Sequence, residues 1–190
     1  MNLKNLKLIE EIISTCGIWT SLEITPDSIY LEFSKTQIYN DDYPNSTELV
    51  LRFGENILLN IYYNDKEDIK QIINENNTLI NSFKEFSFKI RKEEFKFQNI
   101  KYTQKIKKQY KKSLNLNNNE NTDFSLSFKL EKFAITVGGD LLHLFNDFES
   151  LSENEIQNLS NKWCREYLNY WNKKRNGENY TPSPIFESKI

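Results

Sequence analysis

The feature that most constrains this chain is alternation. Phe124, Leu126, Phe128 and Leu130 occupy every second position, with Ser125, Ser127 and Lys129 between them. Successive side chains on a strand point to opposite faces, so this spacing specifies a strand with one buried face and one wet face. The same period runs through Ile18 to Ile24, Ile29 to Phe33, Leu49 to Phe53, Ile57 to Tyr63, Phe86 to Ile90, Phe95 to Phe97 and Phe133 to Val137. Half-buried strands in this number need a second layer to cover their apolar faces.

Turn residues divide the runs. Gly54-Glu55-Asn56 and Gly138-Gly139 each stand between two alternating runs and predict tight hairpins. Pro26-Asp27 predicts a turn, and residues 40–47 predict a polar loop. Three segments switch to helical spacing. Leu3, Leu6, Ile9, Ile13 and Cys16 predict an N-terminal helix stopped by Gly17. Asp65 to Asn81 predicts a middle helix, with Asp65, Glu67 and Asp68 at the positive end of its dipole. Ser152 and Glu155 form a capping box. Behind it, Ile156, Leu159, Trp163, Tyr167, Tyr170 and Trp171 fall on one face of a long helix ending at Gly177. Residues 103–112 fit either a long edge strand or a helix.

The order of elements predicts an α+β fold. It is expected to hold a largely antiparallel sheet of about eight strands, with an N-terminal helix, a middle helix and an aromatic-faced C-terminal helix packed on the sheet. Residues 1–177 are expected to form a single domain, and 178–190, with Pro182 and Pro184, an extended tail. The composition supports a real core: 38% of residues are hydrophobic and 14% aromatic. It also holds 25 Asn, 20 Ile and 21 Lys against a single Ala and 4 Arg, a bias toward AT-rich codons that lowers the meaning of any one Asn or Lys.

No chemical signature stands out. Phosphate-loop, dinucleotide, nucleophile-elbow and HExxH patterns are all missing, so no cofactor is expected. His143 is the only histidine and sits inside an apolar strand pattern, which favours a structural imidazole. On a strand, Asp140 faces away from His143 and Asp147, so these three do not make a metal set. Cys16 and Cys164 read as small buried hydrophobes. Acid-spacer-lysine triplets occur at Asp68 to Lys70, Glu94 to Lys96 and Glu187 to Lys189, as often as this composition produces by chance. Glu10 and Glu11 interrupt the apolar N-terminus where a signal peptide would continue, and no apolar run approaches the ~20 residues of a membrane span. A cytoplasmic setting is expected.

Charge is the most informative property. The chain carries a net charge of -2, yet residues 81–112 hold 11 basic and 3 acidic side chains. Residues 1–80 hold 6 basic and 13 acidic ones. Lys105, Lys107, Lys108, Lys111 and Lys112, interleaved with Tyr102 and Tyr110, read either as a solvated edge strand or as a phosphate track. Against nucleic acid stands the near absence of arginine from this block. On the acidic side, Asp41, Asp42, Tyr43, Asp65 and Asp68 read as a surface that captures a basic protein.

In size, acidity, α+β pattern and codon bias, taken over the whole chain, the sequence resembles bacterial immunity proteins of toxin–immunity systems. The resemblance implies a cytoplasmic, non-enzymatic protein that binds a cognate toxin and occludes its active surface. Two alternatives stay open. One is a helix-grip-like binder, whose C-terminal helix closes an aromatic cavity over the sheet. The other is a nucleic-acid-associated protein using residues 81–112.

Overall fold

The computed structural model describes residues 6–16, 18–34, 36, 49–70, 73, 88–89, 95–115, 121–146 and 149–178. In chain order the elements are α1 (Leu6–Cys16), β1 (Ile18–Ile24), β2 (Ser28–Ser34), β3 (Leu49–Gly54) and β4 (Leu58–Tyr63). A short 3₁₀ helix (Lys66–Ile69) follows, then β5 (Phe88–Lys89), β6 (Phe95–Phe97) and α2 (Ile100–Gln109). The rest are β7 (Lys112–Asn115), β8 (Phe124–Lys129), β9 (Phe133–Gly139), β10 (Leu141–Asn146), β11 (Glu149–Ser150) and α3 (Glu153–Arg175). The class is α+β, as the alternation predicts.

The strands form two antiparallel sheets rather than one. The first runs in the order β11-β10-β3-β2-β1-β5 and the second β6-β8-β9-β4-β7. Their inner faces share one core, to which Phe33 and Phe53 contribute from the first sheet and Phe128 and Phe133 from the second. Ile9, Ile12 and Ile13 of α1 are fully buried in it. Each such side chain stabilises the fold by roughly 1.5–3 kcal/mol relative to exposure.

The two expected hairpins are sheet-crossing corners. β3 pairs with β10 as far as Gly54 opposite Leu141. β4 pairs with β9 starting from Leu58 opposite Gly138. One two-stranded ribbon therefore runs from the first sheet into the second, and its strands bend together at Gly54 to Asn56 and at Gly139-Asp140. Glu55 and Asn56 take positive φ values of 52° and 36° at the bend. The Asp140 N–H donates to the Glu55 carbonyl at 3.3 Å across it. A glycine between two alternating runs marks a tight backbone event, and here the event is close approach at a corner.

The middle of the chain also departs from expectation. Of the helix expected over Asp65 to Asn81, the 3₁₀ turn Lys66–Ile69 is described, and residues 74–81 lie outside the described residues. The described α-helix in the middle of the chain is α2, inside the stretch that fitted strand or helix. Tyr102 and Ile106, four residues apart, share one face of α2, and with Tyr110, which follows the helix in extended conformation, they pack on Tyr62 and Ala134. The only alanine of the chain therefore lies under α2, where a small side chain lets the helix approach the sheet.

At the C-terminus the capping box forms as expected. The Ser152 N–H donates to Glu155 Oε2 at 2.7 Å, and the Glu155 N–H donates to Ser152 Oγ at 3.3 Å. Ile156 enters the core, with Leu159 packed against it. Trp163 and Tyr170 are buried. Tyr167 stacks on Trp163 at 5.1 Å, and Trp171 meets Tyr170 edge-on at 5.3 Å. Gly177, with φ 71°, ends the helix in the left-handed conformation that glycine tolerates. The expected tail, beyond residue 178, lies outside the described residues.

Candidate ligand-binding cleft

α2 lies on the outer face of the second sheet, and its contacts leave one flank open. Asn99 caps it: the Tyr102 N–H donates to Asn99 Oδ1 at 2.9 Å. Tyr102 and Ile106 turn toward the sheet, while Ile100, Thr103, Gln104 and Lys107, spaced i, i+3, i+4 and i+7, form the stripe along the open flank. Between this stripe and the sheet is a cleft of about 940 Å³.

The floor comes from the outward positions of the strands. Thr136, Asn60 and Asn115 are consecutive partners across β9, β4 and β7. Next to this row, Tyr62 is paired with Ser113. On the other side of it, Leu58 and Ser125 both pair with Gly138. The floor is thus mostly uncharged hydroxyl and amide. Lys107 and Lys111 supply the charge, whereas Lys112, opposite the core residue Tyr63, borders the cleft from the other face of β7; no carboxylate is found among the described residues lining the cleft.

A chain of hydroxyls ties the helix to the floor. Thr136 Oγ1 and Ser127 Oγ lie 2.8 Å apart, and Ser127 Oγ and Thr103 Oγ1 are also 2.8 Å apart. Thr103 in turn donates to the Asn99 carbonyl at 3.2 Å. Ser127 and Thr136 are buried, where an unmade hydrogen bond is costly, so this chain holds α2 in position. Burial raises the pKa of the Tyr62 phenol, and the Thr136 hydroxyl tempers the rise. The buried Tyr62 hydroxyl makes no full hydrogen bond among the described residues.

The basic block is divided by the fold. Lys107 and Lys111 line the cleft and Lys112 borders it, while Lys105 and Lys108 are exposed on α2 and do neither. The edge-strand reading holds for Lys112 in β7; the helix carries Lys105, Lys107 and Lys108. On the acidic side, Asp41, Asp42 and Tyr43 lie outside the described residues. Asp65 and Asp68 cap the 3₁₀ turn. Asp68 Oδ2 accepts from the Asp65 N–H at 3.1 Å, and Asp65 Oδ1 accepts from the Glu67 N–H at 3.3 Å. Asp68 also borders a second recess of about 360 Å³, whose walls mix Lys129 and Lys132 with Glu131.

His143 lies on the outer face of the first sheet. It is opposite Arg52, which is itself opposite Tyr30. Arg52 donates from Nε to Ser28 Oγ at 3.0 Å, and its guanidinium lies 5.8 Å from the Tyr30 ring centroid. Burial, then nearby positive charge including Arg52, lowers the His143 pKa. Cys164 is exposed on α3, contrary to the expected burial; the Cys16 side chain lies outside the described residues. Lys96 pairs with Glu10 at 3.8 Å. Among the described residues no three His, Cys, Asp or Glu side chains converge as a metal site would need, and no helix is long and apolar enough to cross a membrane.

The sequence marked the lysines of the cleft but not its floor. Asn60, Ser113, Ser125 and Thr136 are ordinary outward residues of alternating strands. Their one readable signal is that they are polar yet uncharged, where solvent-facing strands of such a charged chain commonly carry Lys or Glu. No protein-family model, curated protein or solved structure matches the chain.

Proposed function

We propose that this protein works by binding rather than catalysis, and that the cleft beneath α2 receives a negatively charged ligand. One observation carries this reading. In a chain with more acidic than basic residues, a ligand-sized cleft carries the charges of Lys107 and Lys111 and no described carboxylate. Lysine contributes a point charge, worth about 1 kcal/mol per contact when water screens it, so the charged groups select sign and speed encounter. The accessible amides of Asn60 and Asn115 and the hydroxyl of Ser113 supply directional hydrogen bonds. The toxin-neutralising role implied by the resemblance fits this chemistry where the toxin offers an acidic segment. The acidic-face version of that role finds no support in Asp65 and Asp68, whose carboxylates cap their own backbone. The apolar-ligand version finds none in a cleft of this polarity, which lies under α2 and not under α3.

The test is retention on heparin across a salt gradient. Wild-type protein is expected to bind and to elute earlier as salt rises. Lys107→Glu combined with Lys111→Glu abolishes retention, whereas Lys173→Glu with Lys174→Glu on α3 leaves it intact. Equal loss from both pairs, or no retention of the wild type, overturns the reading.

A further inference from the structure

The cleft is not uniform along its length, and its gradient identifies a ligand class. At one end stand Lys107, in the last turn of α2, and Lys111 and Lys112 just beyond it. Lys112 is paired with Tyr63, which fixes this charged end at the Tyr63 end of β4. The middle is the neutral row of Thr136, Asn60 and Asn115. The other end is formed by Ile100, which is 73% exposed, above the buried Leu58, with Asn121 beside them. That Ile100 is at this end follows from the chain entering α2: the Gln98 N–H donates to the Ser125 carbonyl at 2.8 Å, and Ser125 shares the Gly138 row with Leu58. From Ile100 to Lys107 the helix rises roughly 10 Å at ~1.5 Å per residue.

Resting on the anionic reading above, we infer that the cleft binds a nucleoside phosphate unit. Its phosphate lies between Lys107 and Lys111, its sugar hydroxyls over Asn60 and Asn115, and its base against the exposed Ile100. The order of groups in such a ligand, anion then polyol then flat weakly polar ring, is the order of groups along the cleft. Hydroxyl and carboxamide side chains both donate and accept, as sugar hydroxyls do. An acidic peptide would instead call for cations spread along the groove, because its carboxylates recur along its backbone, and here the cations are gathered at one end. An exposed isoleucine offers a base an apolar contact surface.

The experiment is titration of the full chain, by calorimetry, with AMP, UMP, ribose 5-phosphate, adenosine, inorganic phosphate, poly-glutamate and a short single-stranded oligonucleotide. One-to-one binding of a nucleoside monophosphate is expected, at least tenfold tighter than inorganic phosphate, ribose 5-phosphate or adenosine. Lys107→Glu with Lys111→Glu should weaken it at least tenfold, and Asn60→Leu several-fold, with an unchanged melting temperature showing that each variant folds. Oligonucleotide binding with the same dependence on Lys107, Lys111 and Asn60 supports the inference and assigns the unit to a strand. Inorganic phosphate binding as tightly as the nucleotides overturns it. Poly-glutamate or heparin binding without nucleotide binding also overturns it, while leaving the anionic cleft standing.

Discussion

Gly139 lies directly on the backbone of Gly54. A Cβ at position 139 would stand 2.6 Å from the Gly54 carbonyl oxygen, 3.1 Å from the Gly54 nitrogen and 3.2 Å from the Glu55 carbonyl oxygen. These are backbone atoms, which cannot swing aside, and the contact lies where one ribbon leaves the first sheet and enters the second. Gly139→Ala is therefore expected to destabilise the protein by about 1–3 kcal/mol, as overpacking does. Gly54 differs: its Cβ would meet its nearest neighbour, Leu141 Cβ, at 3.7 Å. Gly54→Ala should change stability by less than about 1 kcal/mol. Denaturant unfolding of both variants checks the asymmetry, and equal effects would remove the close-approach account of the corner.

The aromatic face of α3 makes a second case. Trp163 is 8% exposed and stacked on Tyr167, whereas Leu168 on the same helix is 60% exposed. Trp163→Ala should cost about 3–5 kcal/mol. Leu168→Ala should stay within about 0.5 kcal/mol. An unchanged melting midpoint in the tryptophan variant would show that α3 is not held through this face.

At the start of the same helix, Ser152→Ala should cost about 1 kcal/mol by removing the cap. The pKa of Glu155 is lowered by hydrogen bonds from the Ser152 side chain and then from its backbone. A depressed carboxyl stabilises the fold above its unfolded pKa, and that contribution is lost as pH falls through the folded value. In Ser152→Ala the Glu155 titration, followed by NMR, should move back upward. A titration that stays in place would contradict the role of the hydroxyl.

His143 titrates with the opposite charge change. Its pKa lies below the usual 6.5. The unfolded chain therefore takes up a proton before the folded one does. Stability is complete above the unfolded value and falls as pH drops from there toward the folded value. Melting temperatures from about pH 7.5 to pH 5 should decline less in His143→Gln than in the wild type. Parallel declines would assign the slope to other groups.

The corner at Gly54 and Gly139 shows how local signals and their meaning separate. Both glycines were legible as tight points between alternating runs. Whether a tight point turns a strand back on itself or passes it to another sheet depends on which strand pairs beside it. That partner lies about eighty residues away in the chain, beyond any local pattern. The basic block behaves in the same way. Tyr102 and Ile106 carried the helical period, but lysines obscured it, and only their packing on Tyr62 and Ala134 shows which lysines face the cleft.

The sequence by itself determined the alternating strands, the capping box of α3 and its stop at Gly177. Each of these follows from steric and hydrogen-bonding preferences acting within a few residues. Only the tertiary structure decided that there are two sheets, that α2 rests on the second of them, and that Asn60, Asn115 and Thr136 share one floor beside Lys107 and Lys111. That arrangement depends on long-range register, where the alternating period is the same for every strand and so cannot say which strands are neighbours.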